Sequence, residues 1–529
     1  MHSFRKHALT VALGLALTAG SAFAVAAPVS QTAAIAHATA LQSGDMITGA
    51  LPMSHSLHVT VALNLRNEPQ LDAAIAQHHV MSQQQFMADH APTAAQAQAV
   101  ADFLSHSGFH NVTIAPNRLL VSGDAPAGLV QRAFNTQMVS VHTHDGRAAF
   151  ANSSDIVVPA SLHGSVKAVL GLQTVHVPHV FKGKPGGGGG GGSSIIGHDP
   201  MEFGTLYGGS GLPTGSGVSV GIITNGDLSA TLSDLNQFTS SHGLAAVSTQ
   251  IVNTDGTGTD TSGTAEWDLD SQDILGMAGG QIGKIVFYNI PTLANSSMVD
   301  DFNTAVSANA VKVINVSLGE CETSAKGDGS AAAADNIFKQ AVAQGQTFSV
   351  STGDAGSNEC GGSPRGTTPS WPASSPYVVA VGGTTLNATT TTWQGETVWA
   401  DTGGSPSTFE PMPSWQVGVG QNAGHTTRGL PDIAFDADPN SGSKIIVNGS
   451  LAQYGGTSLS SPLFVGFWAR MIAAKGTGIG FAAPKLYALP STAFHDVVSG
   501  SNGGEKAAPG WDYTTGFGSI IMNKASTSL

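Results

Sequence analysis

A run of seven glycines at residues 186–192 divides the chain into two parts that must fold separately. Glycine has no side chain to bury and the widest backbone freedom, so such a run cannot belong to a packed core. The sequence therefore predicts a domain at residues 27–185, a glycine-rich linker at residues 186–194 and a second domain at residues 195–529. The linker is either a plain tether or a processing site, because peptidases cut exposed tethers.

The first 26 residues have the features of a secretory signal peptide. Arg5 and Lys6 precede an apolar run at residues 8–17, and small residues that suit cleavage lie at residues 22–26. The apolar run is shorter than the roughly 20 residues needed to cross a bilayer. We therefore expect a secreted, extracellular protein with no membrane attachment once the signal peptide has been removed.

Segments with the patterns of strands and helices alternate through the first domain. The strand-like segments are residues 57–63, 112–114, 119–123, 138–141 and 155–158, and the helix-like segments are residues 69–77, 94–107 and 127–134. Interleaved elements of this size predict a small α+β domain. Residues 28–50 show little pattern, and we expect them to be mobile.

The second domain alternates short apolar strands with helices. The strands are predicted at residues 218–223, 284–288, 311–317, 347–351 and 377–381, and helices at residues 266–277 and 331–343. Strands that are apolar throughout indicate a parallel sheet covered on both faces, which is a doubly wound α/β fold. In such sheets the functional site lies at the carboxyl ends of the strands.

Ser458 lies in the segment Tyr-Gly-Gly-Thr-Ser-Leu-Ser-Ser-Pro at residues 454–462, directly before an apolar, helix-like run. A serine at the start of a helix has an exposed hydroxyl beside free N–H groups that can hold a developing oxyanion. Pro462 is expected near the first helical turn, where its missing N–H costs least. The alternative is that Gly-Thr-Ser forms an ordinary loop and helix cap.

Two carboxylate motifs accompany this serine. Glu266 and Asp270 stand four residues apart on a predicted helix and so share one face; if buried, they would share a proton and titrate as a pair. Asp354 follows an apolar strand and is flanked by Gly353 and Gly356. The alternatives are a solvated acidic helix face for the pair and a turn aspartate for Asp354.

A histidine base for Ser458 is poorly supported by the sequence. Only four of the 19 histidines follow the linker, and none lies in a motif typical of a catalytic histidine at a helix start. They are His198, His242, His425 and His495. A carboxylate base therefore fits the sequence better than a Ser-His-Asp triad does.

The Glu266/Asp270 pair, the Gly-Asp-x-Gly motif of Asp354 and the Gly-Thr-Ser-x-x-x-Pro motif of Ser458 together resemble those of the sedolisins, the serine-carboxyl peptidases. The domain at residues 27–185 also resembles the ferredoxin-like activation prodomain of that family, so the resemblance covers nearly the whole chain. It implies a subtilisin-like fold for the peptidase catalytic domain that follows the linker.

The resemblance implies a role for each matched residue. Ser458 would be the nucleophile, Glu266 its general base, and Asp270 the residue that holds and tunes Glu266. Asp354 would donate a hydrogen bond to the oxyanion, in place of the asparagine that subtilisins use. Residues 315–319 resemble the strand that pairs with substrate backbone in subtilases, which is a supporting role and not a catalytic one.

These residue types predict activity in acid. Asp354 can donate a hydrogen bond to an oxyanion only when it is protonated, whereas Glu266 can accept the proton of Ser458 only when it is ionised. Carboxylates have reference pKa values of about 4, so we expect the enzyme to work best at acidic pH. The resemblance implies the same.

The resemblance further implies one structural Ca²⁺ ion near the C-terminus. Its ligands would be the side chains of Asp496 and Asp512 and the carbonyls of Val497, Ala508 and Gly510. Carboxylates and exposed carbonyls in glycine-rich loops are the ligands that Ca²⁺ prefers. The alternative is a pair of turn aspartates without a metal.

Cys321 and Cys360 are the only cysteines of the chain, and both lie in the second domain. In an oxidising compartment they could form one disulfide; two buried free thiols are the alternative. The disulfide is favoured because we expect the chain to be exported.

The first domain is rich in histidine. Thirteen of the 19 histidines lie between residues 28 and 192. Because histidine gains a charge as the pH falls through about 6.5, we hypothesise that acid charges the prodomain, disrupts its docking and releases the enzyme. The alternative is compositional drift without a function.

The sequence thus predicts a secreted, acid-acting serine-type endopeptidase made as a self-processing zymogen. Its partners would be protein and peptide substrates and its own prodomain, as an intramolecular inhibitor and chaperone, and we expect a monomer. The net charge of −14 argues against nucleic-acid binding. The alternatives are a subtilisin-like Ser-His-Asp peptidase and a catalytically inactive, calcium-stabilised secreted binding protein. The sequence leaves the subsite specificity and the exact processing bond open.

Overall fold

A computed structural model describes residues 32–181, 197–363, 365–476 and 479–529 of the protein. The predicted signal peptide and the glycine run lie outside the described residues. Within them, no helix combines the length and the apolar character that crossing a membrane requires.

Residues 32–181, called the prodomain below, form the predicted α+β domain. Its strands are β1 Thr32–Ala36, β2 Met46–Ala50, β3 Ser56–Leu63, β4 His110–Ile114, β5 Leu120–Pro126, β6 Met138–His142, β7 Ala148–Asn152, β8 Ile156–Pro159, β9 Val166–Leu170 and β10 His179–Val180. Its helices are α1 Glu68–Ala76, α2 Gln83–Asp89, α3 Ala94–His106, α4 Ala127–Ala133 and α5 Ala160–His163.

The main sheet of the prodomain is antiparallel and has the strand order β4-β5-β3-β9. Helices α3 and α4 pack against it, which gives the predicted ferredoxin-like arrangement. Val59 and Val61 of β3 face one side of the sheet and share a core with Val100 and Leu104 of α3. This packing explains why apolar residues alternate along β3.

The expectation that residues 28–50 are mobile is wrong for the part that the structure describes. There, β1 pairs with β8 and β2 pairs with β6. Every residue of β2 is exposed, so its place in a sheet comes from hydrogen bonds to the partner strand. Pairing of this kind leaves no apolar pattern in the strand's own sequence.

The chain from residue 197 onward, called the C-terminal domain, has the predicted doubly wound α/β fold. Its strands are β11 Gly215–Asn225, β12 Thr249–Asn253, β13 Ile282–Ile290, β14 Val313–Val316, β15 Leu318–Cys321, β16 Thr347–Ser351, β17 Ser370–Trp371, β18 Val379–Ala388, β19 Trp393–Val398, β20 Pro406–Pro411, β21 Thr427–Gly429, β22 Ile433–Asp436, β23 Ser443–Val447, β24 Ser450–Tyr454, β25 Phe494–His495 and β26 Ser519–Ile520. Its α-helices are α6 Pro200–Leu206, α7 Ser229–Ser241, α8 Thr264–Met277, α9 Asn295–Ala308, α10 Glu322–Asp328, α11 Ser330–Ala343, α12 Thr457–Lys475, α13 Ala483–Tyr487 and α14 Met522–Ser528.

The central sheet has the strand order β12-β13-β11-β14-β16-β18-β19, and β22 pairs with β18. Its pairs are parallel except that of β18 with β19. Helices α8 and α12 pack on each other and both contact β11, whereas α9 packs on α11. Strands β14 and β16 are buried at every residue, as expected for central strands of a sheet that is covered on both faces.

The prodomain docks on helices α9 and α11 of the C-terminal domain. The Lys339 ammonium of α11 lies 2.6 Å from Glu68 and 2.8 Å from Asp72 of α1. The Asn336 side chain donates a hydrogen bond to the Leu63 carbonyl at 3.1 Å. Polar contacts therefore accompany the packing of the two domains.

Several carboxyl groups of the C-terminal domain are buried among neutral partners. Asp273 accepts a hydrogen bond from the Ser443 hydroxyl at 2.7 Å, and Asp301 accepts one from the Thr254 hydroxyl at 2.6 Å. Burial raises the pKa of Asp273 and of Asp301 well above the usual range. It raises the pKa of Asp268 to about 9. These groups are therefore neutral in mild acid.

Candidate active site

Ser458 is the second residue of α12 and is fully buried. Gly456 precedes the helix with φ at 105°, a value that favours glycine and lets the chain turn sharply into the helix. Pro462 is the sixth residue of the helix and so lies deeper than the first-turn position that we predicted. Because proline has no N–H, the Ser458 carbonyl lacks its usual partner four residues later.

Glu266 and Asp270 lie one turn apart on α8, with exposed fractions of 4% and 0%. The alternative of a solvated acidic helix face is therefore wrong. Burial raises the pKa of Glu266, and the neighbouring Ser458 hydroxyl partly offsets this rise. The Ser317 hydroxyl donates to Asp270 Oδ1 at 2.7 Å and so fixes the second carboxyl.

The environment of this pair favours a shared proton. Among the described residues, Glu266 Oε1 and Asp270 Oδ2 are buried with no hydrogen-bond partner. Burial and the nearby Asp270 charge raise the pKa of Glu266 well above its usual range, and burial raises the pKa of Asp270 to about 8. Neighbouring carboxyls lose their protons in separate steps, so the two groups titrate as a pair, and burial moves that titration to higher pH.

Asp354 follows β16 and is held against the start of α12. Its Oδ1 accepts hydrogen bonds from the Thr457 amide at 2.8 Å and from the Thr457 hydroxyl at 2.9 Å. Burial raises the pKa of Asp354 to about 7, although these two hydrogen bonds lower it. Because Oδ1 is occupied as an acceptor, Oδ2 is the oxygen that can carry a proton and donate it.

None of the four histidines of the C-terminal domain, all of them described, is hydrogen-bonded to Ser458. Their neighbours are Glu202 for His198, Asp199 for His242, Tyr513 for His425 and Trp393 for His495. The structure therefore offers no histidine in the position that a Ser-His-Asp triad requires.

The end of the described prodomain lies in this site. Strand β10 pairs antiparallel with β15, with His179 opposite Gly319. The Ser458 hydroxyl donates a hydrogen bond to the Phe181 carbonyl oxygen at 3.1 Å. Residues 315–319, which resemble a substrate-pairing strand, overlap the start of β15. Strand β15 pairs here with β10 of the protein's own prodomain.

A disulfide joins Cys321 to Cys360, which confirms the favoured pairing. Cys321 ends β15, and Cys360 lies in the loop that follows Asp354. The bond therefore ties the strand that holds the end of the prodomain to the segment that carries Asp354.

Three residues of this site were missed in the sequence. Ser317, which holds Asp270, and Thr457, which holds Asp354, stand inside motifs that had been singled out for other residues. Neither hydroxyl lies near its carboxylate in the sequence, so the two pairings depend on the fold. Phe181 has no local signal, since only the fold brings it to Ser458.

The two aspartates expected to bind Ca²⁺ accept hydrogen bonds from one C-terminal loop, which also contains two of the three expected carbonyl ligands. Asp512 Oδ2 accepts a hydrogen bond from the Ala508 amide at 2.8 Å, and Asp496 Oδ2 accepts one from the Gly510 amide at 2.9 Å. Val497 adjoins Asp496 in the chain. Burial raises the pKa of Asp512, and a cation would offset this by stabilising the charged form. The donor set therefore suits a hard cation such as Ca²⁺.

His58 of the prodomain faces carboxylates of both domains. Its Nδ1 lies 2.7 Å from Asp124, and its Nε2 lies 3.7 Å from Asp300 and 3.9 Å from Asp255. The nearby Asp300 carboxylate, with support from Asp124 and Asp255, raises the pKa of His58 to about 9, although burial opposes the shift. His58 is therefore charged already at neutral pH. A pH switch at this position would depend on protonation of the neighbouring carboxylates and not of the imidazole.

Two family models match the chain. The Pro-kumamolisin activation domain matches residues 45–175, and the subtilase family matches residues 215–518. Each match falls within one of the two domains described above. The order of the matches, activation domain first, agrees with the order predicted from the sequence.

The chain is similar to whole proteins as well. Sedolisin of Pseudomonas sp. (strain 101) is 45% identical over 519 residues, which cover 90% of this chain and 88% of sedolisin. Xanthomonalisin of Xanthomonas sp. (strain T-22) is 40% identical over 622 residues, covering 99% and 74% of the two chains. A solved structure of Pseudomonas sedolisin, a serine-carboxyl proteinase complexed with two molecules of pseudo-iodotyrostatin, is 46% identical with a TM-score of 0.61 and covers 63% of this chain and 98% of its own. The chain therefore belongs to the sedolisin family of serine-carboxyl peptidases and carries an activation prodomain.

Proposed function

We propose that the protein is an exported zymogen that processes itself and then acts as an endopeptidase in acid. The observation that carries this proposal is the meeting of Ser458, Glu266 and Asp270 in one buried cluster, where the Glu266 carboxyl neighbours both the serine hydroxyl and the second carboxyl. Asp354 accepts a hydrogen bond from the Thr457 amide at the start of α12, the helix that carries Ser458. The signal-peptide features of the first 26 residues support export.

In the proposed mechanism, Glu266 takes the proton of Ser458 as the serine Oγ attacks the carbonyl carbon of the scissile bond. The carbonyl oxygen becomes an oxyanion, and the protonated Oδ2 of Asp354 donates a hydrogen bond to it. Glu266 then gives the proton to the leaving nitrogen, the C–N bond breaks and an acyl-enzyme remains. Water hydrolyses the acyl-enzyme with Glu266 again as the base.

The protonation states limit this reaction to acid. Above a pH of about 7, Asp354 loses its proton and its negative charge would repel the oxyanion. At the low end, the Glu266/Asp270 pair must have lost one proton before Glu266 can act as a base. Removal of the prodomain would bring water to the site and weaken the effect of burial, so both limits should move to lower pH.

Asp354→Asn is expected to remove the upper pH limit. An amide donates at every pH, whereas the protonated fraction of Asp354 falls about tenfold for each pH unit above its pKa. On denatured protein, the activity of this variant should stay level from pH 6 to 8 while that of the wild type falls. Asp354→Ala, which lacks any donor, should lose about 100- to 1,000-fold in kcat at every pH. If the activity of Asp354→Asn fell between pH 6 and 8 as that of the wild type does, another group would set the upper pH limit.

The prodomain is proposed to inhibit the enzyme by occupying the cleft, and its role as a chaperone rests on the family resemblance. Acid would weaken its docking through the carboxylates near His58. Burial and the nearby Asp300 charge raise the pKa of Asp255 to about 7, so Asp255 becomes neutral as the pH falls below that value. The attraction between Asp255 and the charged His58 is lost in the same window.

One Ca²⁺ ion is proposed between Asp496 and Asp512, with the carbonyls of Val497, Ala508 and Gly510. It would hold the C-terminal loops together by cancelling the charge of two carboxylates. The burial of Asp512 and the convergence of both carboxylates on one loop support this site.

Removal of calcium should lower the melting temperature of the processed enzyme. An ion present at 100 times its Kd stabilises the fold by about 2.7 kcal/mol, which corresponds to roughly 5 °C or more. Scanning calorimetry with a chelator, then with added Ca²⁺ or Mg²⁺, measures the effect. Asp496→Asn should abolish it, whereas Asp227→Asn on another exposed loop should keep it. A chelator that leaves the melting temperature unchanged would rule out the site.

Hydrolysis of denatured protein from pH 2 to 8, after acid treatment of the full chain, tests the proposed function. Activity confined to acid and appearing with the cut would support the proposal. Activity that peaks near neutral pH would favour the subtilisin-like alternative with a histidine base. No hydrolysis despite a verified cut would favour the binding-protein alternative.

A further inference from the structure

The Phe181 side chain fills a pocket of the C-terminal domain. Only 2% of Phe181 is exposed. A Cβ atom added to Gly319 would come within 2.4 Å of Phe181 Cζ, and one added to Gly353 would come within 3.5 Å of Phe181 Cε1. The ring therefore occupies space that exists because these two positions lack side chains, and a flat aromatic group fits there.

The residues before Phe181 are held as an added strand. The pairing of β10 with β15 fixes the backbone, a mode by which peptides bind sheet edges. The His179 ring packs edge-on against the Phe181 ring, with centroids 5.2 Å apart. His179 Nε2 also lies 3.3 Å from Glu359 Oε1, and the Glu359 side chain is only 3% exposed. The segment is therefore fixed by both its backbone and its side chains.

The Phe181 carbonyl lies next to the nucleophile. Its oxygen is 3.1 Å from Ser458 Oγ. Because a C=O bond is about 1.2 Å long, the carbonyl carbon lies within about 4.3 Å of the same Oγ. Attack requires a separation of roughly 3 to 3.5 Å, so a shift of about 1 Å brings the two atoms into a reactive position.

We propose that the precursor cuts the peptide bond that follows Phe181, with the Phe181 ring held in the pocket between Gly319 and Gly353. This inference rests on the proposed function. Ser458 Oγ bonds to the Phe181 carbonyl carbon, the serine proton passes by way of Glu266 to the nitrogen of the following residue, and the C–N bond breaks. Water then releases the new Phe181 carboxyl group.

This bond lies before the region at residues 186–194 in which the sequence places the cut. The sequence draws attention to the glycine run because such a run is easy for a peptidase to reach. In the fold, however, the carbonyl that reaches Ser458 is that of Phe181. Accessibility favours a bond within the glycine run, whereas alignment with Ser458 favours the bond that follows Phe181. A chain that cuts itself needs the alignment.

Brief acid treatment of the full chain, followed by N-terminal sequencing of the first large fragment, tests the bond. We expect the fragment to begin at Lys182. Phe181→Ala should slow its appearance by about 10- to 100-fold, whereas Met46→Ala, an exposed change in the same domain, should not. A first fragment that begins elsewhere, in a protein that digests substrate in acid, would overturn this inference alone. Absence of any hydrolysis would overturn the proposed function as well.

Discussion

Replacing Ser458 by alanine is expected to leave the full chain uncut in acid and to abolish its action on denatured protein. The variant loses the atom that forms the acyl-enzyme, so kcat should fall by about 10⁴- to 10⁶-fold. The fold should persist, because among the described residues the lost hydroxyl donates to the Phe181 carbonyl alone. A time course on denaturing gels and an assay of peptide release measure the two losses.

Ser460→Ala is a matched control on the same helix. The Ser460 hydroxyl is buried and donates to the Phe435 and Asp436 carbonyls, away from the cleft. This variant should lose about 1 kcal/mol of stability and keep its self-processing. Addition of active wild-type enzyme to the Ser458→Ala chain should restore the cut, because the bond itself is intact. Spontaneous cutting of Ser458→Ala at the wild-type rate would disprove the assignment of the nucleophile.

Glu266→Gln is expected to cause the second large loss, of about 10⁴-fold in kcat at every acidic pH. Glutamine keeps the shape of the side chain and can still form a hydrogen bond with Ser458, but it cannot take the serine proton. The change also removes one partner of the Asp270 carboxyl, which would then titrate as a single group. Peptide release from pH 2 to 8, with the melting temperature as a check on folding, measures the effect.

Asp268→Asn provides the comparison for Glu266→Gln. Asp268 lies on the same helix and is buried beside Asp234, with its pKa raised to about 9. Since it is neutral in acid, the amide should replace it with little effect on activity. If Glu266→Gln retained strong activity that peaks near neutral pH, the base would have to be a histidine, and the subtilisin-like reading would return.

The parts of the fold that sequence reasoning predicted are those with strong local patterns. Residues 347–351 form a buried strand that contains Phe348 and Val350, and residues 264–277 form a helix that the spacing of Glu266 and Asp270 had already indicated. The sedolisin motifs then placed Ser458 and Asp354 at one edge of the sheet. Each of these features depends on a pattern formed by a few residues that are close together in the sequence.

The parts that were missed depend on contacts between distant residues. Strand β2 is exposed and becomes ordered only beside β6. Phe181 reaches Ser458 because β10 pairs with β15, a contact across more than a hundred residues of sequence. Pro462 was placed too early because the tolerance of a helix for proline beyond its first turn depends on the surrounding packing.

The buried carboxyls of Asp268, Asp273 and Asp301 make the folding of the C-terminal domain a reaction that takes up protons. In an unfolded chain, aspartate has a pKa of about 3.9 and is ionised in mild acid. The folded domain keeps these three protonated to higher pH, because burial raises the pKa of each. The free energy of unfolding therefore falls as the pH rises above about 4, by up to about 1.4 kcal/mol per pH unit for each group. A rise to neutral pH would therefore lower the stability of the whole domain. The same rise would switch off the chemistry in its cleft.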